Sequence, residues 1–125
     1  MEKSVIRVFI VDYDHSFGKS LQRMLQSRGM SVCCFESASA FLDSVPSGQK
    51  GIAIVDIHLP LFDGFSLMDS MKKMGYGMPV ILITGKTEAN TRDLAMEGGA
   101  VGFLQKPFHA NSLMTLIEEL QNQEA

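Results

Sequence analysis

Two hydrophobic rhythms alternate along the chain. Short runs that are apolar at nearly every position recur at 5–11, 32–35, 52–55, 80–83 and 100–104. A continuous apolar run of that length describes a strand buried on both faces, as in a parallel sheet. Between the runs, apolar residues return at intervals of three and four, the signature of a helix that buries one face. Phe17, Leu21, Met24 and Leu25 form the first such stripe, with Gly29 suited to stop the helix. Ser37 suits the cap of a short helix carrying Phe41, Leu42 and Val45, which ends near Pro46. Leu67, Met68, Met71 and Met74 make the third stripe, read as core because methionine fills irregular gaps. Gly75, Gly77 and Pro79 then break the chain. A fourth helix is predicted over 88–97, capped by Thr87. Its apolar face is thin, Leu94 and Ala95, which predicts weak anchoring. Gly98 and Gly99 end it. Leu113, Leu116, Ile117 and Leu120 line the last helix. His109 at its start is a poor cap, which leaves Asn111 for that role, and 121–125 reads as a polar tail.

Five repeats of strand then helix, joined by right-handed crossovers, give an α/β fold with a doubly wound five-stranded parallel sheet. The chain is expected to be one domain over 1–125, ordered from about 4 to 122, with no internal repeat.

The ends of the strands carry the chemistry. The first run ends in Asp12, with Asp14 just beyond. The third, Ile52-Ala53-Ile54-Val55, ends in Asp56 and is followed by a shaped loop containing Pro60, Asp63 and Gly64. The fourth ends in Thr84 and the fifth in Lys106. In a parallel sheet these ends share one rim, where open α/β folds bind ligands. Two carboxylates about 4 Å apart repel by roughly 4 kcal/mol at an effective dielectric of 20. A hard divalent cation such as Mg²⁺ removes that penalty and favours oxygen ligands. A carboxylate can accept a phosphoryl group covalently. Thr84 could then hydrogen-bond one phosphoryl oxygen and Lys106 could pair with another. Taken alone, Asp56, Thr84 and Lys106 each have a plainer reading, as strand-end or surface residues, and Asp63-Gly64 reads as a simple turn.

Composition narrows the partners. Charged residues are 20% of the 125, hydrophobic residues 46%, and the formal net charge is -3. No Lys/Arg cluster gives the domain the footprint of a nucleic-acid binder. Glu2-Lys3-Ser4 leads into a strand-length run rather than a signal peptide, and no run approaches the ~20 apolar residues of a membrane span. A cytoplasmic location is expected. Cys33 and Cys34 are the only cysteines. As strand neighbours they face opposite ways, cannot frame a zinc site, and read as packing residues. His15, His58 and His109 have no ligand spacing.

Four motifs in order carry a resemblance over nearly the whole chain. They are the acid after the first strand, Val-Asp-Ile-His-Leu-Pro-Leu-Phe-Asp-Gly at 55–64, Ile-Thr-Gly at 83–85 and Phe-Leu-Gln-Lys-Pro-Phe at 103–108. With them the chain resembles the receiver domains of bacterial two-component response regulators, the CheY-like fold, and its Gly-Ala-Val-Gly-Phe phrase is most similar to FixJ-type receivers. The resemblance implies strand order 2-1-3-4-5 and a phosphorelay function. It implies Asp56 as the phosphoacceptor, Thr84 as the switch hydroxyl, Lys106 as the family lysine and Phe103 as the switch aromatic. It also implies a cis bond before Pro107 and Mg²⁺ held by Asp12, Asp56 and the His58 backbone carbonyl. A sensor histidine kinase or phosphotransfer protein is the implied partner, with a possible homodimer through the helix 4/strand 5 face. The chemistry expected is at most self-phosphorylation and self-dephosphorylation. FixJ-type receivers usually precede a helix-turn-helix output domain, and no such pattern appears in these 125 residues.

One position departs from the family. Where the family carries a second consecutive acid, this chain has Tyr13, and a phenol is a poor neutral ligand for Mg²⁺. Asp14 either moves in as a ligand or caps the first helix. The departure motivates an alternative, an atypical receiver that binds partners without phosphorylation. A third reading takes Asp12-Tyr13-Asp14 as the Asp-x-Asp motif of a small haloacid-dehalogenase-like phosphatase with Asp12 as nucleophile. No acidic pair follows Lys106 to complete that site. A flavin-binding domain is disfavoured, because the loop after the first strand lacks a phosphate cradle.

Overall fold

A computed structural model describes residues 5–86 and 88–123. In chain order the elements are β1 (Arg7–Val11), α1 (His15–Ser27), β2 (Ser31–Phe35), α2 (Ala38–Ser44), β3 (Ile52–Asp56), α3 (Gly64–Lys73), β4 (Val80–Thr84), α4 (Thr91–Glu97), β5 (Gly102–Gln105) and α5 (Ala110–Gln123). The strands form one parallel sheet in the order β2-β1-β3-β4-β5.

Alternation along each strand feeds two cores. Val8, Ile10, Ile52, Ile54, Ile81 and Ile83 face α1 and α5, where Leu21, Leu25, Leu113 and Ile117 meet them. Phe9, Val11, Ala53, Val55, Val80 and Leu82 face the other way, onto Phe41 of α2, Leu67, Met68 and Met71 of α3 and Ala95 of α4. Every residue of β3 and β4 is buried. Full burial of such side chains stabilises by about 1.5–3 kcal/mol each. The central strands are therefore the rigid base of the rim. No helix among the described residues is long and apolar enough to cross a membrane.

The local signals mostly hold. Ser37 caps α2 by accepting from the Ala40 N–H at 3.0 Å. Gly29, at φ 87, turns the chain after α1 in the left-handed region that favours glycine. Several boundaries move for identifiable reasons. β1 starts at Arg7, because pairing with β2 begins at Arg7↔Ser31. β5 starts at Gly102 rather than 100, because the Ala100 N–H still serves the end of α4, on the Ala95 carbonyl at 3.0 Å. α4 starts at Thr91, three residues later than the pattern suggests. Asn90 before it has φ 77, which a helix cannot propagate through, and Thr91 Oγ1 is tied to both backbone groups of Glu88. The expected cap Thr87 lies outside the described residues.

Four further expectations are corrected. Asn111 lies inside α5, so it does not cap that helix; its carbonyl accepts from Thr115 Oγ1. Met74 is exposed, because it falls past the end of α3 and the chain turns away at Gly75. Cys33 is exposed on the edge strand rather than packed, whereas Cys34, on the opposite face, is half-buried against Gly18 and Gln22. Residues 121–123 continue α5 instead of forming a tail.

Candidate functional site

Asp12, Asp56 and Thr84 are the three buried polar residues of the described chain, and all three stand at the carboxyl ends of central strands. Asp56 is the last residue of β3 and Thr84 the last of β4. Asp12 follows β1, its N–H donating to the Phe35 carbonyl at 2.9 Å. Lys106 follows β5, where its N–H donates to the Thr84 carbonyl at 2.7 Å. The ladder thus carries the lysine to the rim by main-chain bonds before its side chain makes any contact.

The side chain then reaches across the sheet. Lys106 Nζ donates to Asp12 Oδ2 and to Asp56 Oδ2, both at 2.8 Å. The remaining oxygens are also engaged. Asp12 Oδ1 accepts from the Asp14 N–H and Asp56 Oδ1 from the His58 N–H, each at 2.8 Å. One ammonium serves two buried carboxylates, so the cluster keeps a net negative charge. Burial pushes the Asp12 carboxyl above the usual range and the Asp56 charge adds to this, while the hydrogen bonds from Lys106 and Asp14 oppose it. Burial pulls Lys106 down, but its bonds to Asp12 and Asp56 outweigh that and hold it above the ordinary lysine value.

Thr84 is at the rim with its hydroxyl turned away from the acids. Oγ1 donates to the Lys86 carbonyl at 2.7 Å and accepts from the Lys86 N–H at 3.1 Å. Beyond it a cleft is lined by Asp56, His58, Gly85, Lys86, Glu88 and Lys106. Phe103 is half-buried on β5, packed against the core on the α3–α4 side. The Lys106-Pro107 bond is cis.

Tyr13 is 65% exposed. Asp14 caps α1, accepting from the Phe17 N–H at 3.1 Å. Among the described residues no third acidic, histidine or cysteine side chain groups with Asp12 and Asp56. The donors that do converge are hard anionic oxygens in excess of the local positive charge. That fits a cation such as Mg²⁺, which keeps several waters and needs only one or two carboxylates.

Three residues of the site escape sequence reasoning. Asp63-Gly64 is more than a turn. Asp63 Oδ1 caps α3 by accepting from the Ser66 N–H at 2.8 Å. A side chain on Gly64 would place its Cβ 2.6 Å from the Asp56 carbonyl oxygen, so the residue lets α3 close against the back of the acid. An acid-glycine pair just ahead of a helical stripe was the available signal. Phe17 reads from the sequence as core alone, yet Lys106 Nζ lies 4.0 Å from its ring centroid. Nothing local announces that contact.

Comparison with known proteins agrees with this geometry. The response regulator receiver domain family matches residues 8–118. The transcriptional regulatory protein FixJ of Bradyrhizobium diazoefficiens is 35% identical over 111 residues, which cover 89% of this chain and 54% of FixJ. The chain spans about half the length of the curated relatives it matches. A CheY-like receiver domain protein from Methanospirillum hungatei superposes with a TM-score of 0.86 at 27% identity, over 98% of this chain and 100% of that one. A response regulator from Burkholderia pseudomallei, solved with a phosphorylated aspartic acid, a calcium ion and citrate, has a TM-score of 0.79 at 25% identity over 96% of this chain and 73% of that one. Motif order, strand order and family match converge on one assignment: the chain belongs to the CheY-like receiver domains of two-component response regulators.

Proposed function

We propose that the chain is a phosphorylation switch in which Asp56 accepts a phosphoryl group from a sensor histidine kinase or a phosphotransfer protein. The observation that carries this reading is the single Lys106 ammonium 2.8 Å from both Asp12 and Asp56. It brings a candidate nucleophile, a second acid and a cation to one point. An Asp56 carboxylate oxygen attacks phosphorus, the P–N bond to the donor imidazole breaks, and the imidazole leaves with that electron pair. Lys106 exchanges a carboxylate oxygen for a phosphoryl oxygen. Thr84 gives up its bond to Lys86 and donates to another. Asp12, Asp56 and the His58 carbonyl would hold a Mg²⁺ ion, which would supply positive charge against the phosphoryl oxygens. Phe103 then turns inward as Thr84 moves, and α4 and β5 shift between two arrangements. Leu94 and Val101 are exposed on that face, the surface for a partner or a second copy. The chemistry is confined to the chain's own phosphorylation and dephosphorylation, in the cytoplasm, with no nucleic acid bound by this domain. Beryllofluoride with Mg²⁺ should change Tyr13 fluorescence or the oligomeric state. No response at millimolar Mg²⁺, with Asp56→Asn behaving identically, would refute the switch.

A second reading has its own observation. Tyr13 points outward and the Asp14 carboxylate is committed to the α1 cap. The metal set is thus one carboxylate short of the family pattern. In this reading the domain binds partners without phosphorylation. It expects no stable acyl phosphate from acetyl phosphate, and Mg²⁺ binding restored by Tyr13→Asp. The phosphatase alternative, with Asp12 as nucleophile, gains no observation of its own.

A further inference from the structure

The Lys106 ammonium has three N–H bonds to place. Asp12 and Asp56 take two, each at 2.8 Å. The face of the Phe17 ring stands over the same cation, its centroid 4.0 Å from Nζ. That ring is itself fixed from two directions. The Phe17 N–H is the donor that the Asp14 cap accepts, which sets where the side chain leaves α1. Phe108, two residues beyond Lys106, lies edge-on to Phe17 with centroids 6.0 Å apart and planes at 74°. The cation beneath is shielded, its side chain 17% exposed.

We propose that Phe17 is a positioning residue for Lys106, its π face holding the ammonium where it meets a phosphoryl oxygen on Asp56. The proposal rests on the reading of Asp56 as phosphoacceptor. When the phosphoryl group arrives, Lys106 must release a carboxylate oxygen. Attraction to Asp12 has no directional preference for Asp56 and would as readily keep the cation at the wrong acid. A ring face attracts the cation without carrying charge, so it competes with neither acid. A leucine is also apolar, fills part of the same space and offers no such attraction.

The test compares the full chain carrying Phe17→Leu, Phe17→Met and Phe17→Tyr. In metal-free protein, NMR reads the ring-current shift of the Lys106 ε-methylene protons. They should be shifted upfield in wild type and Phe17→Tyr and lie at the ordinary lysine position in the leucine and methionine variants. Titration with beryllofluoride at saturating Mg²⁺ gives the functional readout. Affinity should fall roughly three- to thirty-fold in Phe17→Leu, the range of a partly desolvated cation–π contact, and be kept in Phe17→Tyr. If Phe17→Leu does not fold, Phe17→Met carries the comparison. Unshifted ε protons in wild type, or equal affinity in wild type and the ring-less variants, overturns the positioning role while leaving the phosphoacceptor reading standing. Wild type that binds no beryllofluoride removes the phosphoacceptor reading, and the positioning role with it.

Discussion

A lysine shared by two buried acids cannot neutralise both, and that imbalance makes the residues of the rim respond in opposite directions. Asp12→Asn leaves a balanced pair of Lys106 and Asp56, so the metal-free variant should be more stable than wild type by on the order of 1 kcal/mol at neutral pH. The raised Asp12 value means the folded state holds this proton more tightly than the unfolded chain. Its unfavourable contribution is therefore relieved as pH falls from that raised value towards 3.8. The advantage of Asp12→Asn should shrink over the same window, measured by urea unfolding at several pH values. Lys106→Met does the reverse. It strands two carboxylates and should cost about 3–5 kcal/mol. Because the Lys106 value is raised, the stability it contributes is complete below 10.5 and is lost as pH climbs through the folded value. A separate strain lies in the loop after β3. Leu61 has φ 66 in a three-residue turn closed by the Phe62 N–H on the Pro60 carbonyl, and its side chain is fully exposed. Leu61→Gly relieves about 1–3 kcal/mol of backbone strain against about 0.4–1 of added unfolded-state entropy. A net gain near 1 kcal/mol is expected in urea melts, and a loss would show that the leucine makes a contact the geometry does not reveal.

Among the elements, α3 and α4 differ in how they are held. α3 buries Gly64, Leu67, Met68 and Met71 and carries a side-chain cap from Asp63. α4 buries Ala95 and has no side-chain cap. Its attachments to α3 are a close fit of Gly98 against Met68 and a bond from Lys72 Nζ to the Gly98 carbonyl at 3.3 Å. Amide exchange should therefore be faster across α4 than across α3 and α5, as the proposed switch requires. Uniform protection would argue against α4 as the part that moves. Gly64→Ala attacks the opposite property. Its Cβ meets backbone rather than a flexible side chain, so α3 must back away from Asp56. A cost of about 1–3 kcal/mol follows, and beryllofluoride binding should weaken with it.

For the molecule as a whole, the sheet is a rigid plate with an acidic rim, and a divalent cation bound at that rim would be coupled to global stability. Mg²⁺ at ten times its dissociation constant should raise unfolding free energy by about 1.4 kcal/mol. Thermal melts with and without the ion measure this, and Asp56→Asn should abolish the increment. Much of this plate is legible in the chain's own order. Continuous apolar runs ending in Asp56 and Thr84 identified β3 and β4, the helical stripes identified α1, α3 and α5, and the residue ending each run placed Asp12, Asp56, Thr84 and Lys106 on one edge. Those features depend on neighbours a few residues apart, which is why a sequence displays them. Helix starts were less legible where a backbone angle decided them, as at Asn90. What only tertiary structure decided is which atoms touch. Lys106 lies 94 residues from Asp12 and 50 from Asp56, yet it bonds to both. The turn of the Thr84 hydroxyl towards Lys86, the ring of Phe17 over the cation and the approach of Gly64 to Asp56 depend likewise on the spacing between packed layers. Periodicity fixes the direction in which a side chain leaves its element; the distance it must cover is set by how closely the neighbouring elements pack.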